Sequence, residues 1–200
     1  MDTNAMKSQN LNRKMMRCVC VLLVRASVVW ATFVANTLTA EEPKSIEQKA
    51  PELARITQWI NSKPLALKDL RGKVVVLHFW TFGCINCQHN LSYYNRWQTD
   101  FAKDDMQIIG VHTPETAGEA DEKHVRTRVG ELGIKYPVAV DNESATWKAY
   151  KNRYWPSIYL IDKQGHIRYR WDGELEYQDS GGDKSMRARI KALLAEAAKP

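Results

Sequence analysis

The feature that most constrains this chain is the run Val74-Val75-Val76-Leu77-His78-Phe79-Trp80, which stops just short of Cys84 and Cys87. A β-branched and aromatic run of this kind reads as a central strand buried on both faces. Beyond it, Leu91, Tyr94, Trp97 and Phe101 recur at helical spacing between Ile85 and about Lys103. Cys84 therefore falls at a strand-to-helix turn and Cys87 in the first turn of the helix. Strand, turn and helix in this order make a unit of an α/β sheet.

The flanking segments extend the pattern. Ile56–Ile60 reads as a strand, and Leu65, Leu67 and Leu70 lead into the turn Arg71-Gly72-Lys73, which together suggest a hairpin-like entry. Met106–Val111 and Tyr136–Val140 read as strands and Glu119–Val129 as a polar helix. Ser144–Tyr150 reads as a helix that Ser144 is able to cap. Ser157–Asp162 and His166–Trp171, joined by Lys163-Gln164-Gly165, form a hairpin, and Asp183–Ala198 is a closing amphipathic helix. Strands that alternate with helices and end in an antiparallel hairpin predict a central mixed sheet flanked by helices. With 200 residues, 44% of them hydrophobic, there is material for one domain with one core.

The formal charge of +6 is unevenly spread. Residues 1–40 carry Lys7, Arg13, Lys14, Arg17 and Arg25 against Asp2, a net +4, which leaves +2 for the rest. No run of Lys and Arg interleaved with aromatics follows, so nucleic acid is not an expected partner. The basic start, the largely apolar Val19–Ala35 and the polar Asn36–Ala40 read as an export signal, interrupted by Arg25. Cleavage after Ala40 is the preferred reading, with a persisting N-terminal anchor as its alternative. The charged stretch 41–52 reads as a short linker, and the domain is expected over 53–200. Localisation is accordingly expected to be periplasmic or otherwise extracytoplasmic.

Cysteine usage agrees with this division. Cys18 and Cys20 lie in the leader, so the processed chain keeps only Cys84 and Cys87. A two-residue spacer closes too small a loop to stabilise a fold through chain entropy, so a disulfide there belongs to chemistry. The helix N-terminus favours a thiolate, drawing the first cysteine from a pKa of about 8.5 towards the range of roughly 3.5–7.5 seen in such motifs. Cys84 is then the attacking thiol, and Cys87 resolves the mixed disulfide. A zinc site would need a second ligand pair, and covalent haem attachment would need His where Gln88 stands. No metal or other cofactor is expected.

The residues Leu67-x-x-Leu70-Arg71-Gly72-Lys73-Val74-Val75-Val76-Leu77-x-Phe79-Trp80, followed by Cys84-x-x-Cys87, resemble the TlpA/ResA-like, redoxin-type branch of the thioredoxin superfamily. The stretches WTFGCINC, GVHTPE and YWP…LID…G are similar to the periplasmic thioredoxin-like domain of DipZ-type proteins. The resemblance runs from about Pro51 to Glu196. It implies a thioredoxin-like fold and thiol-disulfide exchange with protein substrates in an oxidising compartment, more in the reducing than the oxidising direction. It also implies a separate electron donor, expected at the membrane; the chain is expected to be a monomer.

The resemblance further assigns candidate roles. Pro156 corresponds to the cis-proline that faces the cysteine pair and presents the backbone of Trp155 to substrate, so both are candidate substrate-binding residues. Trp80 is expected to shield the disulfide. His78, six residues before Cys84, occupies the place of a buried acid that takes a proton from the second cysteine, and strand alternation points it towards the pair. Glu115 resembles a glutamate that modulates the thiol pKa values. Two other function classes share part of this pattern. A thiol peroxidase would share Thr81-x-x-Cys84, yet Leu77 stands where its proline is wanted. A Cu(I)-binding chaperone would use soft thiolate and imidazole ligands, but usually with a wider cysteine spacing.

Overall fold

The computed structural model describes residues 48–197, and its architecture is organised around Val74–Trp80, here β3, every residue of which is buried. β3 pairs in parallel with β4 (Met106–His112) and antiparallel with β6 (Ser157–Ile161), so it has a strand on either side. That explains its composition: a strand with two neighbours and two covered faces has no polar side to present. β5 (Val138–Val140) continues the sheet in parallel beyond β4, and β7 (His166–Asp172) continues it antiparallel beyond β6. The edges are β2 (Gln58–Ile60), antiparallel to β5, and β1 (Gln48–Lys49), antiparallel to β7. The seven-stranded order is β1-β7-β6-β3-β4-β5-β2. The sheet is mixed, as the sequence predicts.

Alternation along β3 divides the core in two. Val74, Val76 and Trp80 join a cluster with Leu91, Tyr94 and Trp97 of α1 (Ile85–Asp100), Val125 and Val129 of α2 (Glu122–Glu131), and Ile190 and Leu193 of α4 (Gly182–Ala195). Val75, Leu77 and Phe79 face the other way, against Leu67, Leu70, Tyr150 and Tyr159. Trp147, on the short α3 (Ala145–Ala149), packs against this second cluster and meets Phe79 edge-on.

Three local expectations change. The N-terminal hairpin does not form: β2 finds its partner some eighty residues away in β5, while Leu67–Leu70 makes a 3-10 turn. Helix α3 is capped by Asp141, whose carboxylate accepts the Thr146 and Trp147 N–H groups at 3.2 and 2.8 Å; Ser144 makes no cap bond. Residues 48–52, read as linker, lie on the fold: β1 pairs with β7, Ala50 N–H donates to Gly165 O at 2.9 Å, and Glu52 accepts the Leu67 N–H at 2.8 Å. The predicted leader, residues 1–40, lies outside the described residues. Among the described residues no helix is long and apolar enough to cross a membrane.

Candidate active site

The elements that build the site meet where β3 and β4 end and β6 begins. β3 leads through Thr81-Phe82-Gly83 into α1, whose N-cap is Cys84. Cys84 and Cys87 are joined by a disulfide with Cα atoms 5.2 Å apart, within the span such bonds need. Their surroundings differ: Cys84 is half-buried, whereas Cys87 is 1% exposed and belongs to the first core cluster. The Cys87 N–H, which also donates to Cys84 O at 3.1 Å, lies 3.2 Å from Cys84 Sγ, so a donor of the first helical turn reaches that sulfur. No acidic residue stands in the first turn of α1 to oppose negative charge there.

The register brings the proline segment to the same end. Ser157, the first residue of β6, is opposite Phe79 near the end of β3, so the preceding Trp155–Pro156 peptide, which is cis, lies beside the strand end that carries the cysteines. Pro156 is buried, and its carbonyl accepts the Gly173 N–H at 2.8 Å. Trp155 is half-buried and stacks on Trp147 with ring centroids 4.1 Å apart.

Behind the cysteine turn is a polar layer. His112, at the end of β4, meets the Thr81 hydroxyl at 3.2 Å and the Phe82 N–H at 3.4 Å. Its ring packs on Phe82, which on its other contact meets His124 at 4.6 Å. Glu119 is 6% exposed and accepts three backbone N–H groups: Gly83 at 3.1 Å, Glu115 at 2.7 Å and Thr116 at 3.0 Å. Burial pushes the Glu119 carboxyl up, but the N–H groups of Glu115, Thr116 and Gly83 and the Thr81 hydroxyl outweigh it and hold the group below its ordinary value. Gly83 is needed for this approach, because a Cβ there would run into Glu119 Oε1.

The carboxylate that touches the cysteine turn is thus Glu119, not Glu115, whose side chain is exposed and which contributes only its backbone N–H. The signal for it was present as Thr116-x-x-Glu119, the spacing of a capping box around the 3-10 turn Ala117–Ala120. Trp80 is fully buried, its indole N–H beside Gly110 and its ring edge-on to His112, so it supports the site from the core and offers no surface to a substrate.

His78 shares a face of β3 with Trp80, but its ring stacks on Tyr94 at 4.2 Å and meets Tyr136 edge-on at 5.4 Å. Neither of its nitrogens has a hydrogen-bond partner among the described residues. Desolvation by burial lowers its pKa to about 3, so the ring is neutral and resists protonation, which works against the expected acceptor role.

A second residue missed from sequence is Asn90, one turn beyond Cys87 and fully buried. Its amide donates to Gly173 O at 3.1 Å and its carbonyl accepts the Leu175 N–H at 2.9 Å, fastening the segment after β7 to the cysteine helix. No metal-binding group of three or more His, Cys, Asp or Glu side chains occurs among the described residues.

Comparison with known proteins bears on family and fold. The model of the AhpC/TSA family matches residues 46–170. Protein DipZ of Mycobacterium bovis is 47% identical over 131 residues, which are 64% of this chain but 19% of DipZ, so the chain spans under a fifth of that relative. Thiol-disulfide oxidoreductase ResA of Bacillus thuringiensis subsp. konkukian is 30% identical over 163 residues, covering 82% of this chain and 90% of ResA. The crystal structure of a thiol-disulfide isomerase from Corynebacterium glutamicum superposes with a TM-score of 0.65 at 30% identity, covering 74% of this chain and 98% of that one. The chain belongs to the AhpC/TSA family and has a thioredoxin-like fold.

Proposed function

We propose that this protein is a thiol-disulfide oxidoreductase that exchanges its Cys84–Cys87 dithiol with disulfides of protein substrates outside the cytoplasm, and that reduction of the substrate is its working direction. The observation that carries the reading is the asymmetry of the pair: Cys84 is accessible at a helix N-cap, and Cys87 is buried one turn further on. In the reduced enzyme the Cys84 thiolate attacks a substrate disulfide, forming a Cys84–substrate disulfide and releasing one substrate thiolate. Cys87, as thiolate, then attacks Cys84 Sγ, restoring the intramolecular disulfide and releasing the second substrate thiolate. Two electrons pass to the substrate.

Protein substrates are supported by the surface around the pair. Among the described residues the exposed large apolar side chains are Ile85, Tyr154 and Tyr177, at 59%, 60% and 61%. Ile85 lies between the cysteines and Tyr154 just before the Trp155–Pro156 peptide, so apolar surface collects where a partner would dock. In this reading the backbone at Trp155 pairs with the substrate segment and Pro156 shapes that edge.

The reducing direction rests on the resemblance to TlpA/ResA-like proteins, since CxxC pairs on this fold span about −270 to −120 mV. Extracytoplasmic placement rests on the leader-like residues 1–40, and regeneration of the dithiol falls to a separate donor at the membrane.

Cys87→Ala tests the mechanism. The variant should accumulate substrates in mixed disulfides at Cys84, identifiable by mass spectrometry. Absence of any adduct while Cys84 remains open to alkylation would show that exchange at that thiol is the wrong model. Equilibration of the wild-type pair with glutathione buffers then gives the direction: a potential near that of thioredoxin supports reduction, and one near the upper end supports oxidation.

A further inference from the structure

Next to the cysteine helix lies a cleft of about 380 Å³ whose lining includes Asn86, Trp171, Asp172, Gly173, Glu174 and Tyr177. One wall comes from between the two cysteines. The other is the end of β7 and the segment after it, and this wall is fastened twice. Gly173 N–H is bonded to the Pro156 carbonyl, and Asn90 holds both Gly173 O and Leu175 N–H. Asn86, between the two cysteines, and Gly173, bonded to Pro156, place the cleft beside the disulfide and the proline segment, and Asn90 ties its second wall to the cysteine helix.

Its chemistry selects what fits. The indole of Trp171 and the ring of Tyr177 supply aromatic surface. The two carboxylates already have donors: Asp172 Oδ1 accepts Ser157 Oγ at 2.7 Å and Arg170 Nε at 2.9 Å, and Glu174 Oε2 meets His89 Nδ1 at 3.0 Å. The lining includes no Lys or Arg. An acidic group entering the cleft would face two carboxylates with no cation of the wall to receive it, whereas an apolar side chain leaves the existing bonds intact.

We infer that this cleft is a specificity subsite for one aromatic or long aliphatic side chain of the substrate polypeptide, one or two residues from the cysteine that Cys84 attacks. The inference rests on the reading that the enzyme's substrates are polypeptides. A strand advances about 3.3 Å per residue, and Asn86 is two residues from Cys84, so only a near neighbour of the substrate cysteine reaches the cleft. Tyr177 supplies the contact.

The test uses three disulfide-linked peptides, identical except for Phe, Ser or Glu beside the cysteine, together with a small aromatic disulfide as a measure of thiol reactivity. The reduced wild-type enzyme should react with the Phe peptide about tenfold better in kcat/KM than with the Ser peptide, the effect of burying part of one large apolar side chain, and worse still with the Glu peptide. In Tyr177→Ala the Phe-to-Ser ratio should fall to within about twofold, and in Glu174→Gln the Glu peptide should recover relative to Ser. Equal rates for the three peptides with the wild type, or an unchanged ratio in Tyr177→Ala, overturn the subsite and leave peptide exchange intact. Reaction with the small disulfide but with none of the peptides overturns the polypeptide-substrate reading itself, and the subsite with it.

Discussion

Glu119 shows how much one side chain can hold. Its two oxygens serve the N–H groups of Gly83, Glu115 and Thr116, joining the turn before Cys84 to the turn after β4. Glu119→Ala leaves three donors without their acceptor and should cost about 1–3 kcal/mol in urea unfolding of the oxidised protein. Glu119→Gln keeps the shape and removes the negative charge that sits against Gly83, the residue before Cys84. A nearby anion opposes a thiolate, so the variant should show a lower Cys84 pKa in the pH dependence of alkylation. Gly83→Ala should destabilise by roughly 1–3 kcal/mol, because the added methyl meets the Glu119 carboxylate. The cysteines were legible because their chemistry follows from spacing and from the helix that begins between them. Glu119 was not, because proximity to Gly83 depends on a 3-10 turn that folds the loop back, and the resemblance points to Glu115 instead. Asn90 was hidden for a related reason, since its partners lie more than eighty residues away.

At the scale of elements, most strands and helices were readable, while the partners of the outermost strands, and β1 itself, were not. β3, β4, α1 and the β6–β7 hairpin have enough period or enough β-branched length to declare themselves. β2 and β1, three and two residues long, are strands only because β5 and β7 offer them an edge. Residues 48–52 carry consequences for stability. A chain beginning at residue 53 loses the β1 pairing, the Ala50–Gly165 bond, the Glu52–Leu67 bond and the bond from the Tyr150 hydroxyl to Pro51 O. At about 0.5–1.5 kcal/mol for each hydrogen bond, it should be roughly 2–4 kcal/mol less stable than a chain beginning at residue 41, measured as a lower urea midpoint. The cap of α3 separates two substitutions in the same way. Asp141→Ala should cost about 1–2 kcal/mol, while Ser144→Ala, which removes no cap bond, should stay within about 0.5 kcal/mol.

The whole molecule carries two histidines that must fold neutral. Burial lowers His78 to about 3, and lowers His112 to about 4 against the opposing pull of Glu119. Unfolded, each titrates near 6.5. Below that pH the unfolded chain binds protons that the native state refuses, so stability is full above about pH 6.5 and declines with acidification until the native pKa values are reached. Each histidine contributes a slope of about 1.4 kcal/mol per pH unit in that window. Urea unfolding of the oxidised protein at pH 7, 6 and 5 should show the decline, and His78→Phe should make it shallower.

The strand order also bears on how the chain reaches its folded state. Both margins of the sheet are sealed by the earliest segments of the fold, β1 and β2, yet the strands they cover, β7 and β5, come much later in the sequence. As the chain emerges from the N-terminus, the apolar β3 and β4 exist before either margin can close. The interval before β7 arrives is when the aggregation-prone strand edges are unprotected. The short outer strands, which add little to the core, are then the guard against one copy's sheet pairing with another's.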